Sequence, residues 1–92
     1  MKVRWTSAAV RDRLAIFEFI AADNPPAAAR IDELFGISAA RLADFPDLGK
    51  PGRVVGTREL FPHESYRLVY EVSADTVWVL ALVHAARQWP PA

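Results

Sequence analysis

The feature that most constrains this chain is a change of hydrophobic period. In "AAVRDRLAIFEFIAA" the apolar residues recur every three to four positions, whereas in "YRLVYEVSADTVWVLALVH" they alternate or run on continuously. A helical repeat does not sit as a strand, nor a period-two repeat as a helix. Helices and strands must therefore occupy separate stretches. The divide is "FPDLGKPGRVVG", which carries two prolines and three glycines and turns repeatedly.

Upstream of the divide, "KVRW" reads as a strand over Lys2–Trp5, with Thr6 or Ser7 as the cap of a helix from about Ala8 to Ala22. Val10, Leu14, Phe17 and Ala21 form its expected inner face, widened by Ile16 and Ile20. "DNPP" stops it, because a residue before proline is pushed out of the helical region. Asn24 then caps a second helix that runs to about Asp44, with Ile31, Leu34, Phe35, Leu42 and Phe45 as its seam. Gly36 costs that helix about 1 kcal/mol relative to Ala and allows a close approach to its neighbour.

Downstream, "TRELF", "YRLVYEV" and "TVWVLALVH" read as three strands joined at "PHES" and "SAD". The last is apolar on both faces, as a central strand is. Trp78, Leu80 and Leu82 fall on one side of it and Val77, Val79 and Val83 on the other. The order strand, helix, helix, strand, strand, strand gives an α+β fold: an N-terminal strand and a two-helix hairpin packed on an antiparallel β-sheet, with the first strand beside one of the later three. At 92 residues and 52% hydrophobic content, residues 1–92 form one domain with a normal core. So short a chain with so much apolar content is also expected to leave an exposed apolar patch for a partner.

Composition narrows the chemistry. The chain has no cysteine, so disulfides and thiolate zinc sites are excluded. Only His63 and His84 are present, and they lie in different elements without metal-ligand spacing. No metal and no cofactor is expected. "GKPG" lacks the length and the Ser/Thr of a phosphate loop. The N-terminus "MKVRWTSAAVRDR" has no apolar segment of signal-peptide length, and "LAIFEFIAA" is too short to span a bilayer. A soluble cytoplasmic protein is the expectation. Eleven Lys and Arg balance eleven Asp and Glu, a tilt against a surface that tracks a phosphate backbone.

What remains is a cationic and aromatic set: Arg58 and Arg67 around the "PHES" turn, then His84, Arg87 and Trp89 in "LVHAARQWP". A guanidinium fork suits a phosphate or carboxylate, and imidazole exchanges protons near neutrality. Each residue also has a plain structural role. Arg67 pairs with a strand acid such as Glu71, which shares its face; Arg58 is a solvated charge; His84 is a hydrogen-bonded strand end; and Trp89 is a packing lid.

In this order and at this length, the helical hairpin with "FPDLGKPG", "GTRELF", "YRLVYEV" and "VLALVHAARQWP" resembles the RelE/ParE superfamily of bacterial type II toxins. The resemblance implies two helices on an antiparallel sheet and a cognate antitoxin. That antitoxin's C-terminal segment would lie along the helical hairpin and sheet edge. It also implies one of two targets. RelE-like members cut messenger RNA in the ribosome. ParE-like members are associated with inhibition of DNA gyrase. Cutting requires proton transfer at the ribose 2′-hydroxyl and leaving oxygen, and cations around the phosphorane. In the ribonuclease reading Arg67, His84 and Arg87 would carry these roles. Leu60 stands where a basic residue is expected, no tyrosine follows Val83, and Lys2 and Lys50 are the chain's lysines. "GTRELFPHESYRLVYEV" and the H-x-x-R-x-x-P spacing of "HAARQWP" look closer to the ParE branch. The resemblance therefore implies a gyrase-directed toxin whose target-binding residues are Arg58, Arg67, His84, Arg87 and Trp89. A RelE-like ribonuclease is the alternative, and an inactive homologue that only binds antitoxin is a third reading.

Overall fold

Thr6 sets the start of the first helix. Its hydroxyl oxygen accepts a hydrogen bond from the Ala9 N–H at 3.1 Å, and its hydroxyl donates to the Val79 carbonyl at 3.1 Å. The cap therefore also ties the helix to the sheet. In this computed structural model, which describes residues 1–91, the chain runs β1 (Lys2–Trp5), α1 (Ser7–Ala21), α2 (Pro25–Arg41), β2 (Lys50–Pro51), β3 (Thr57–His63), β4 (Tyr66–Ser73) and β5 (Thr76–His84). The spatial order of the strands is β1-β5-β4-β3-β2.

The α+β order and the two-layer arrangement agree with the sequence reading, and several details differ. The sheet is mixed, because β1 runs parallel to β5 with Lys2 opposite Thr76 and Trp5 opposite Val79. A two-residue strand, β2, pairs with β3 inside the proline- and glycine-rich divide. The β3–β4 break narrows to Glu64 and Ser65, since Pro62 and His63 still belong to β3. Helix α2 ends at Arg41, with Leu42 as its cap, rather than at Asp44.

The inner face of α1 is also rotated from the expected one. Ala9 is fully buried, with Ile16 and Ile20 packed against the core, while Val10 and Leu14 are 52% and 56% exposed. Phe17 lies at the surface too. Nearly every side of this helix carries an apolar residue, so its periodicity fits more than one face. Tertiary partners select one of them. Asp12 accepts the Leu82 N–H at 3.1 Å, and Arg13 pairs with Asp32 of α2 at 2.7 Å while lying over the Trp5 ring. Gly36 makes room there, since a Cβ would stand 3.3 Å from the Arg13 guanidinium.

The strand faces are set by two irregularities. Between β4 and β5, Val69 opposes Ala81 and Tyr70 opposes Val79, leaving Leu80 as an extra residue. A bulge of this kind shifts the alternation by one. Val77, Val79 and Leu82 therefore share the helix-side core with Leu68, Tyr70 and Phe35. Trp78 and Leu80 are only half-buried. This corrects the grouping of Trp78, Leu80 and Leu82 on one face. A second shift lies in β3 between Leu60 and His63.

Candidate functional site

Tyr66 anchors the sheet end near the β3–β4 turn. Its ring meets Phe35 of α2 edge-on at 5.5 Å and His84 edge-on at 5.7 Å. Tyr66 thus faces the helices, and His84, opposite it in register, sits beside it. The next residue, Arg67, points to the other face, because successive strand residues alternate. There its Nη1 donates to Glu59 Oε1 at 3.1 Å, and its Nη2 donates to the Arg87 carbonyl. The expected acid partner was Glu71. Glu59 takes that place because β3 pairs directly with β4, with Glu59 opposite Val69.

The Arg67–Glu59 pair is largely removed from water, with side chains 16% and 6% exposed. Leaving one member of such a pair alone typically costs about 3–5 kcal/mol. Glu59 also accepts the Arg53 N–H through Oε2 at 3.4 Å. A Cβ on Gly52 would stand 3.2 Å from that oxygen and 2.5 Å from the Thr57 hydroxyl. Only a glycine lets the loop pass so close.

Arg58 lies elsewhere. It is opposite Tyr70 and shares the helix side with it. Its guanidinium donates to the Gly49 carbonyl at 2.6 Å and approaches the Asp47 carboxylate at 3.8 Å. Tyr70 secures the same loop, donating to the Pro46 carbonyl at 2.7 Å and accepting the Gly49 N–H at 2.9 Å. Burial pushes the Tyr70 hydroxyl above its ordinary value of 10.0, opposed by the Gly49 N–H and the Arg58 charge.

The five residues singled out in the sequence are therefore not one cluster. Arg58 braces the loop after α2, about 10 Å along the strands from the level of Arg67. Arg67 is in an ion pair, and His84 is on the opposite face. At the chain's end, His84 and Arg87 are exposed and Trp89 is half-buried. The tail there is ordered by local bonds. The Ala85 N–H donates to the Ser65 carbonyl, the Ala86 N–H to His84 Nδ1, and the Arg87 N–H to the His84 carbonyl. With Nδ1 accepting, a neutral His84 carries its proton on Nε2.

Sequence reasoning passed over two features. One is Glu59, whose position in "TREL" looks like a surface acid. The other is an open groove of about 430 Å³ whose lining includes Ala27, Arg30, Ile31, Leu34, Ile37 and His63. Leu34 is expected in the inner seam of α2, but the helix turns it outward beside Ile37. Together with Val10, Leu14 and Phe17 they leave the helical hairpin with apolar side chains at its surface. No helix among the described residues is long and apolar enough to cross a membrane.

A helical hairpin on one face of a five-stranded sheet, with a polar tail at the last strand, defines a small α+β domain of the RelE/ParE type. A model of the ParE toxin of type II toxin–antitoxin systems, parDE, matches residues 3–89. The chain belongs to this family and is a toxin of a type II toxin–antitoxin system. It is 40% identical to the toxin-designated protein Y4kP of Sinorhizobium fredii, over 97% of this chain and 93% of that one. It is 33% identical to Toxin RelE2 of Caulobacter vibrioides, over 94% of this chain and 97% of that one. Among solved structures, a chromosomal ParDE system from P. aeruginosa superposes with a TM-score of 0.81 at 20% identity, covering 91% of this chain and 95% of that chain. At that identity the likeness is one of fold. The RelBE2 toxin–antitoxin complex from Mycobacterium tuberculosis gives a TM-score of 0.62 at 29% identity, over 90% of this chain and 95% of that chain.

Proposed function

We propose that this toxin acts by binding DNA gyrase through its C-terminal tail rather than by cutting RNA, and that a cognate antitoxin neutralises it. The observation that carries the reading is the state of Arg67. A ribonuclease would aim this guanidinium at a phosphorane, beside a proton-transferring group. Here Glu59 and the Arg87 carbonyl occupy it, and His84 lies across the sheet. The exposed His84 and Arg87, with the half-buried Trp89, provide a polar and aromatic surface suited to a protein target.

The antitoxin reading rests on the groove along α2 and on the apolar residues of α1. These fit an amphipathic segment laid along the hairpin. The ParDE and RelBE2 neighbours are themselves toxin–antitoxin systems.

The test is induction of the chain alone and together with the neighbouring open reading frame. The expected outcome is growth arrest with altered plasmid supercoiling, relieved by the neighbour's product. Arrest with normal supercoiling and discrete messenger RNA cuts would establish the ribonuclease instead. The absence of any arrest would leave the antitoxin-binding homologue.

A further inference from the structure

Past residue 86 the Arg67 contact with the Arg87 carbonyl ties the tail to the sheet. Arg67 is itself held by a carboxylate that is almost wholly buried, since Glu59 is 5% exposed. Its Nε is buried without a partner, so the guanidinium's pairing rests on these two contacts. The three groups form a line: the Glu59 carboxylate, the Arg67 guanidinium, the Arg87 carbonyl. On its other side Glu59 is fixed by the Arg53 N–H and stands close to Gly52.

We propose that Glu59 is a positioning residue for the toxin's target-binding tail: by fixing the buried Arg67 guanidinium, it latches the Arg87 carbonyl and so sets the direction in which Arg87 and Trp89 are presented. It touches no target. The inference rests on the reading that the tail meets the target, but the latch itself is measurable without any target. A free guanidinium samples several rotamers, and the carboxylate selects the one that reaches the tail. A carbonyl so held fixes the Arg87–Gln88 peptide plane, and with it the path of the tail.

Two variants test this. Glu59→Gln keeps size and removes the charge. The double variant Glu59→Leu/Arg67→Met removes both charges and replaces the pair by apolar groups of similar length, a change that buried ion pairs tolerate well. The double variant keeps the test open if Glu59→Gln fails to fold. The first readout is amide hydrogen exchange on the isolated toxin. The Arg87 N–H, which donates to the His84 carbonyl in the turn that the latch holds, should exchange about tenfold faster or more in both variants, because that turn opens more often once its tie to the sheet is gone. Core amides such as those of Leu68 and Val79 should keep their relative protection. The second readout is growth arrest on induction, which should be lost in both variants while the antitoxin still binds. Unchanged exchange at Arg87 in the folded variants overturns the latch. Faster exchange with full growth arrest overturns its role in positioning. A wild-type toxin that leaves supercoiling untouched refutes the gyrase reading, while the exchange result still decides the latch.

Discussion

Replacing Tyr70 by Phe removes one oxygen from a fully buried ring and leaves the packing intact, so the change isolates the hydroxyl. That oxygen accepts the Gly49 N–H at 2.9 Å and donates to the Pro46 carbonyl at 2.7 Å. Gly49 is buried, and its orphaned N–H should cost about 1–3 kcal/mol. Pro46 is only half-buried and can turn to water, so about 2 kcal/mol is the expected total. A chain of 92 residues typically holds about 5–14 kcal/mol of stability. The melting temperature should therefore fall by about 8–16 °C. The same hydroxyl makes a second, pH-dependent prediction. Its folded value is raised above 10.0, so above that pH the folded state retains a proton that the unfolded chain releases. Stability falls with pH wherever the folded state binds more protons. The wild type should lose stability as pH rises from 10.0 through the raised value, and Tyr70→Phe should not lose this part. The gap between the two proteins should narrow in that window. Thermal melts at neutral pH and urea denaturation in neutral and alkaline buffers, both followed by circular dichroism, measure the two effects. Equal melting at neutral pH, or a gap that stays constant into alkali, would refute the assignment of this hydroxyl as the tie holding the α2–β2 loop.

Leu68→Ala, in the fully buried centre of β4, should cost about 2–5 kcal/mol and abolish growth arrest by unfolding. Arg87→Ala and Trp89→Ala should abolish arrest while melting almost normally and still binding antitoxin; unfolding of either variant would make the tail a structural lid instead. Gly49→Ala places a Cβ 2.8 Å from the Glu59 carbonyl oxygen and a Tyr70 ring carbon, and thermal melts should show a loss of about 1–3 kcal/mol. Ala74 adopts φ 55° in the two-residue β4–β5 turn, a left-handed conformation that penalises a Cβ. Ala74→Gly should accordingly raise stability by about 0.5–1 kcal/mol in the same melts.

The order of elements could be read because each of its signals is local. Thr6 and Asn24 cap helices through their own side chains three residues ahead, and the prolines and glycines after Phe45 act on their own backbone. The inner face of α1 was not legible, because Val10, Leu14 and Phe17 satisfy the helical repeat as well as Ala9, Ile16 and Ile20 do. Only the position of the sheet and of Asp32 breaks the tie. Leu80 hides its bulge for a related reason: "TVWVLALVH" is apolar at nearly every position, so a one-residue slip leaves no mark in its pattern. The site depended on pairing. Glu59 and Arg67 are eight residues apart, with a turn between them, and the register that joins them includes an irregularity near that turn. Strand alternation in "YRLVYE" points Arg67 to Glu71 on its own strand, and only the folded sheet brings Glu59 across from β3 to take that place.

The most direct test of the central claim, a toxin that binds gyrase through its tail and does not cut RNA, uses purified components. The chain, freed from its antitoxin, is added to a gyrase supercoiling reaction and, in parallel, to ribosomes translating a defined messenger. The account predicts inhibited supercoiling for the wild type, restored supercoiling with Arg87→Ala, and an intact messenger by primer extension. Discrete cuts in the messenger that disappear with Arg67→Ala, together with undisturbed gyrase, would contradict it.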